Sequence, residues 1–157
     1  MKRIVWMILT LIFIVDLNSY ALETNLMNIR NKVLMESQDI KALLSDTKDV
    51  ILVSSLWDSC VLTISQLDAY FFQLGIFNTI RKEEVTDTAV DFLIKWLNEI
   101  KKTNDLNIES LNSVNQKIEA KIKFRVEKLK GYYTDLNTQI DEELVKLSFL
   151  KSAQALK

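Results

Sequence analysis

The side chains in this sequence that could do chemistry are carboxylates and a single thiol, and no histidine accompanies them. Glu83-Glu84 and Asp141-Glu142-Glu143 supply the groups that acid–base catalysis uses in pairs and that hard cations take as oxygen ligands. Neighbouring residues on a helix point about 100° apart, so neither run converges on one point, and both read as solvated faces. Asp58 and Asp68 differ, because each stands alone among apolar residues. A buried Asp68 would need a Lys, Trp N–H or Tyr hydroxyl beside it, since an unpaired buried charge is costly. Without histidine there is no Ser-His-Asp or Cys-His nucleophile, no His-ligated metal and no Glu-x-x-His di-iron signature. Cys60 has no second cysteine to pair with, and within Val50–Leu67 it reads as a small buried hydrophobe. The expectation is a protein that is not an enzyme and needs no metal or cofactor.

The elements that carry these residues come after an export address. Lys2 and Arg3, the apolar run Ile4–Val15 and the small residues Ser19 and Ala21 have the layout of a secretory leader cleaved after Ala21. That run is shorter than the roughly 20 residues a membrane span needs. Residues 1–21 are therefore expected to leave, and 22–157 to form one helical-bundle domain. Lys2, Arg3 and Asp16 leave with the leader, so the net charge moves from −1 to −2. Such a balance offers no basic stripe for nucleic acid. A disulfide-free exported chain with no Asn-x-Ser/Thr sequon fits a bacterial envelope, in the periplasm or at the cell surface. Its proline-poor, Lys/Asn/Ile/Leu-rich character is loosely similar to helical envelope and surface proteins of AT-rich bacteria, a likeness of composition that covers no motif.

No proline and only two glycines, Gly75 and Gly131, leave little turn chemistry for a β-fold, so the expected class is all-α. The spacing predicts an elongated up-down bundle of four helices, or five if Gly131 breaks the last one. Leu26, Ile29, Val33, Ile40 and Leu43 set the stripe of the first helix, with a turn at Ser45–Asp49 in which Asp46 caps the second helix. That second helix, Val50–Ile80, is amphipathic at 100° per residue. Leu52, Val53, Leu56, Trp57, Cys60, Val61, Ile64, Leu67, Phe71 and Leu74 share one arc, and Ser54, Ser55, Asp58, Ser59, Ser65, Gln66 and Gln73 the other. That segregation argues against insertion of this segment in a membrane.

A third helix is expected over Asp91–Lys102, capped by Thr86 or by Thr88 with Asp91 at capping-box spacing, and presenting Phe92, Leu93, Trp96, Leu97 and Ile100 as its core face. Thr103–Asn107 reads as the clearest loop. Asn107 then caps a last helix with Leu106 and Leu111 as its staple. From Ile108 to Leu147 one stripe advances in steps of three or four, through Asn115 and in phase across Gly131. Unbroken to Ser152, that helix would be about 67 Å long, more than its neighbours can cover.

The functional expectation is a module that acts through protein–protein contacts, with a protein partner or a second copy. Its contact candidates are Ser55, Asp58, Ser59, Gln66 and Gln73, together with the far half of the last helix. The alternative is an apolar-ligand or lipid binder using Tyr70, Phe71, Phe72 and Phe77 around Gly75.

Overall fold

The computed structural model describes residues 25–79, 87–114 and 117–154, and among these there are four helices and no strand. They are α1 (25–43), α2 (Val50–Thr79), α3 (Asp87–Asn112) and α4 (Ala120–Gln154). The leader, Glu83-Glu84, Thr86 and Asn115 lie outside the described residues. The all-α helical bundle expected from composition is what forms.

Each helix buries apolar residues that fall on one helical face, mostly three, four or seven apart. Leu26, Ile29, Val33 and Ile40 come from α1, and Val53, Leu56, Cys60, Leu67, Tyr70 and Leu74 from α2. Val90, Leu93, Leu97, Ile100 and Leu111 come from α3, and α4 adds Ile122, Val126, Leu129, Tyr133, Leu136, Ile140 and Leu147. Polar contacts fix the directions in which these stripes meet. Arg30–Asp68 and Lys41–Trp57 run α1 against α2 in opposite senses. Lys151–Asp91 and Lys101–Asp141 do the same for α3 and α4. Asn25–Gln139 and Glu36–Arg125 set α1 antiparallel to α4.

The turn between α1 and α2 falls where expected, but Asp46 does not cap α2. Its carboxylate takes Lys121 Nζ at 2.9 Å, while Thr47 Oγ1 accepts from Asp49 N–H at 3.0 Å. Val53 N–H donates to Asp49 O, so Asp49 opens the helix. Thr47 also donates to Glu119 Oε1 at 2.9 Å, which ties this turn to the start of α4.

Three boundaries differ from the spacing: α3 opens at Asp87 rather than Asp91, so Thr88 lies within the helix and does not cap it, and the other two concern its end and the start of the last helix. Thr103–Asn107 is not a loop but the middle of α3, and the last helix begins at Ala120 rather than Ile108. Asn104 explains why Thr103–Asn107 stays helical. It is buried, and its Nδ2 donates to Tyr133 O at 2.6 Å and Asn137 Oδ1 at 2.8 Å. Thr103 Oγ1 donates back to Glu99 O, and Asp105 accepts from Asn137 Nδ2. Asn104 and Asp105, of types that favour turns, are held in a helix here because α4 supplies their partners. The helices end and begin instead at Asn112 and Ala120, and just past α3 the Ser113 N–H is shared between Glu109 O and Ser110 O. Asn107 and Leu106 accordingly neither cap nor staple a helix start, and Leu106 is exposed.

Placing these ends later also removes the excess stripe. At 1.5 Å per residue, α2, α3 and α4 are about 45, 39 and 52 Å long, so neighbours cover one another. The far half of α4 packs on its own chain through Leu136, Ile140 and Leu147, with Lys151 on Asp91 at 2.6 Å. α4 is continuous through Gly131, whose φ is not positive.

One ion cluster lies within the apolar seam. The Glu36 side chain is fully buried, with Arg125 Nη1 at 3.1 Å and Lys128 Nζ at 2.6 Å on its two oxygens. Both cations reach water, and Arg125 also holds Asp39 at 2.8 Å. Removing the cations strands a buried carboxylate, whereas removing the carboxylate leaves two cations that can be solvated. The double variant Arg125→Ala/Lys128→Ala should therefore lose about 3–5 kcal/mol in denaturant unfolding. Glu36→Leu should be near neutral, and equal losses in the two would contradict this reading.

Candidate functional site: the outer face of the second helix

Between Asp49 and Arg81, α2 carries only Asp58 and Asp68 as charges. Its core side is centred on Leu56, Thr63 and Leu67, all buried. The flank toward α3 is polar and occupied. Gln66 Nε2 donates to Thr103 Oγ1 at 3.2 Å, and Trp96 Nε1 donates to Gln66 O at 3.3 Å. Ser59 Oγ donates to Leu56 O at 2.8 Å and lies 3.0 Å from the Tyr133 hydroxyl. On the flank toward α1, Asp68 takes Arg30 through two bonds, Nε–Oδ1 at 2.8 Å and Nη2–Oδ2 at 2.9 Å. Those bonds hold the guanidinium pKa above its ordinary value.

The side facing water is mostly apolar. Ile51 is 88% exposed and Phe72 68%, with Val50, Val61, Leu62 and Ile76 also in solvent. Between them lie Ser54, Ser55, Asp58, Ser65 and Ala69, and Asp58 has no ion-pair partner among the described residues. This corrects the arcs drawn from the sequence. Val61 belongs to the water side, Thr63 to the core, and the serines share the outer face with large apolar groups. By length and composition alone α2 could cross a membrane. Its buried stripe nevertheless packs it as one helix of the bundle.

The five contact candidates therefore divide. Ser55 and Asp58 are on the outer face, Ser59 and Gln66 are used inside the bundle, and Gln73 is half-buried. The aromatic candidates divide as well. Tyr70 is buried and its hydroxyl donates to Glu143 Oε1 at 3.0 Å, while Phe71 and Phe77 are half-buried. Phe72 points away from Tyr70 into water, so the four rings enclose no common cavity; Tyr70 and Phe71 pack with centroids 5.9 Å apart. A cleft of about 380 Å³ lies instead between α2 and α3, lined by Gln66, Phe92, Lys95, Trp96, Glu99 and Ile100. Phe92, a core residue by its spacing, is exposed at the rim of this cleft, 5.9 Å from Trp96.

Asp141 pairs with Lys101 and Glu143 with Tyr70, so that acidic run is divided between two neighbours. Among the described residues no three His, Cys, Asp or Glu side chains gather as a metal site. No family model, curated protein or solved structure matches the chain.

Cys60 is fully buried, as its apolar setting implied, with the Tyr133 hydroxyl 3.9 Å from its sulfur. Burial pushes the thiol from 9.0 up to about 11 and raises the Tyr133 hydroxyl as well. The fold thus favours the neutral thiol. That contribution is fully present below pH 9 and is lost as pH rises through about 11, so stability should fall over this interval, less steeply in Cys60→Ala. At pH 8 a thiol reagent should label the folded chain at least ~100-fold more slowly than the urea-unfolded chain. Comparable labelling rates would contradict the burial.

Proposed function

We propose that this chain is exported and works without catalysis, as a helical module that contacts another protein chain in the bacterial periplasm or at the cell surface. The leader layout of residues 1–21 supports export. The observation that carries the contact is the outer face of α2, where Ile51, Leu62 and Phe72 stand in water with Asp58 as the one charge that has no ion-pair partner among the described residues of that face. Extended apolar exposure of this kind marks interaction surfaces in soluble proteins. Leaving it wet forgoes about 25 cal/mol for each Å² of apolar area.

Two measurements test the proposal. Expressed with its own leader, the protein should be recovered outside the cytoplasm with Leu22 as its first residue; retention in the cytoplasm with Met1 intact contradicts export. A photoreactive side chain at Phe72 should give protein adducts in cells, and one at Asn98, an exposed polar site on α3, should give none. Equal yields at both positions, or adducts to lipid alone, contradict the contact face.

A further inference from the structure

The outer face of α2 is complementary to itself when turned end for end, and we propose that its occupant is a second copy of this chain, packed antiparallel across a twofold axis between Val61 and Leu62. This rests on the reading of that face as a protein-contact surface. Reversing α2 about that point brings Ile51 beside Phe72, the two most exposed large apolar groups of the helix. It sets Ser54 against Ala69, two small residues that let the backbones approach. Asp58 meets Ser65, whose hydroxyl can donate to the carboxylate, and Val61 meets Leu62 at the axis.

Charge selects this direction over the parallel one. In a parallel pair each residue meets its own copy, and Asp58 would face Asp58 in the middle of an apolar contact. In the antiparallel pair the two carboxylates are separated by seven residues, about 10 Å along the axis, each beside a hydroxyl. The dimensions suit a stable contact. α2 is about 45 Å long, and α3 one interaxial spacing away (about 8–10 Å) adds Phe92, exposed at the rim of the cleft between the two helices. The combined face is roughly 45 by 20 Å, near 900 Å², against about 800 Å² per partner in an interface of standard size. A twofold contact of this type is self-complementary and closes on itself, so it gives a dimer and no filament.

Cysteine cross-linking tests the register. The parent chain is the control, because Cys60 is buried and out of reach of the reagent. Under a short bismaleimide, Ile51→Cys chains mixed with Phe72→Cys chains should give 51–72 dimers. Neither should link to itself, because the two like positions would lie about 31 Å apart. Leu62→Cys, beside the axis, should link to itself. Leu62→Asp should keep the parent's helical circular dichroism while its dimer dissociates roughly tenfold or more readily. Ser65→Lys, placed against Asp58 of the other copy, should tighten it.

Self-linking at 51 or at 72 would overturn the antiparallel register. A helical chain that stays monomeric at micromolar concentration, yet still gives Phe72 adducts to a different protein, would overturn the second copy and leave the contact reading standing. A monomeric chain that floats with phospholipid vesicles and gives no protein adduct would overturn both.

Discussion

The composition of α2 is the constraint on which the other parts of the structure depend. Thirty residues carry two carboxylates and no basic group, so the helix has more apolar surface than one buried stripe can absorb. Its core side takes Val53, Leu56, Cys60, Leu67 and Leu74, and the remaining helices are arranged around that side. Arg30 comes across from α1 to hold Asp68, and Trp96 and Thr103 come from α3 to meet Gln66. From α4, Tyr133 and Glu143 reach Ser59 and Tyr70. After these contacts are made, the outer face still holds Ile51, Leu62 and Phe72 in water. The function proposed for the protein rests on that remainder.

A bundle held by apolar stripes alone tolerates sliding, because one leucine resembles the next. In this chain the alignment is fixed by polar groups set into the stripes. Glu36 accepts only a register that brings both Arg125 and Lys128 to it. Asn104 demands Tyr133 O and the Asn137 side chain. Wrong alignments would leave these groups buried and unpaired, a penalty comparable to the net stability of a small domain. The same logic applies to the proposed contact between copies, where Asp58 penalises the parallel arrangement.

Much of this was legible in the sequence. Three- and four-residue spacing marked the buried stripes of α1 and α4 almost position by position, and the lack of proline and glycine set the fold class. The seam positions of polar residues were harder to see, although the spacing contained them. Glu36 stands three after Val33 and four before Ile40, and Asn104 stands four after Ile100 and four before Ile108. Both fill gaps in a stripe, but a polar residue there reads as an edge until its partner is known. Propensity also misplaced the reversal. Thr103–Asn107 and the segment after Asn112 are similarly polar, and only the bonds from Asn104 to α4 decide which one stays helical. On α2 the 100° projection places nine of the ten residues of the apolar arc on the buried side, and it errs at Val61, which faces water, and at Thr63, which faces the core. Thr63, Val61 and Phe92 show that side-chain type alone does not say which side of a mixed helix meets the core.

The proposed contact covers the outer face of α2 with another protein surface when the protein is in its working state. Phe149, near the end of α4, is 72% exposed in the single chain, against 68% for Phe72, so it is an internal standard for the same side chain. Hydroxyl-radical footprinting of the exported protein, read by mass spectrometry, compares the two rings directly. Phe72 should be oxidised several-fold more slowly than Phe149 at working concentration and recover on dilution. Equal oxidation of both rings at every concentration would contradict the contact.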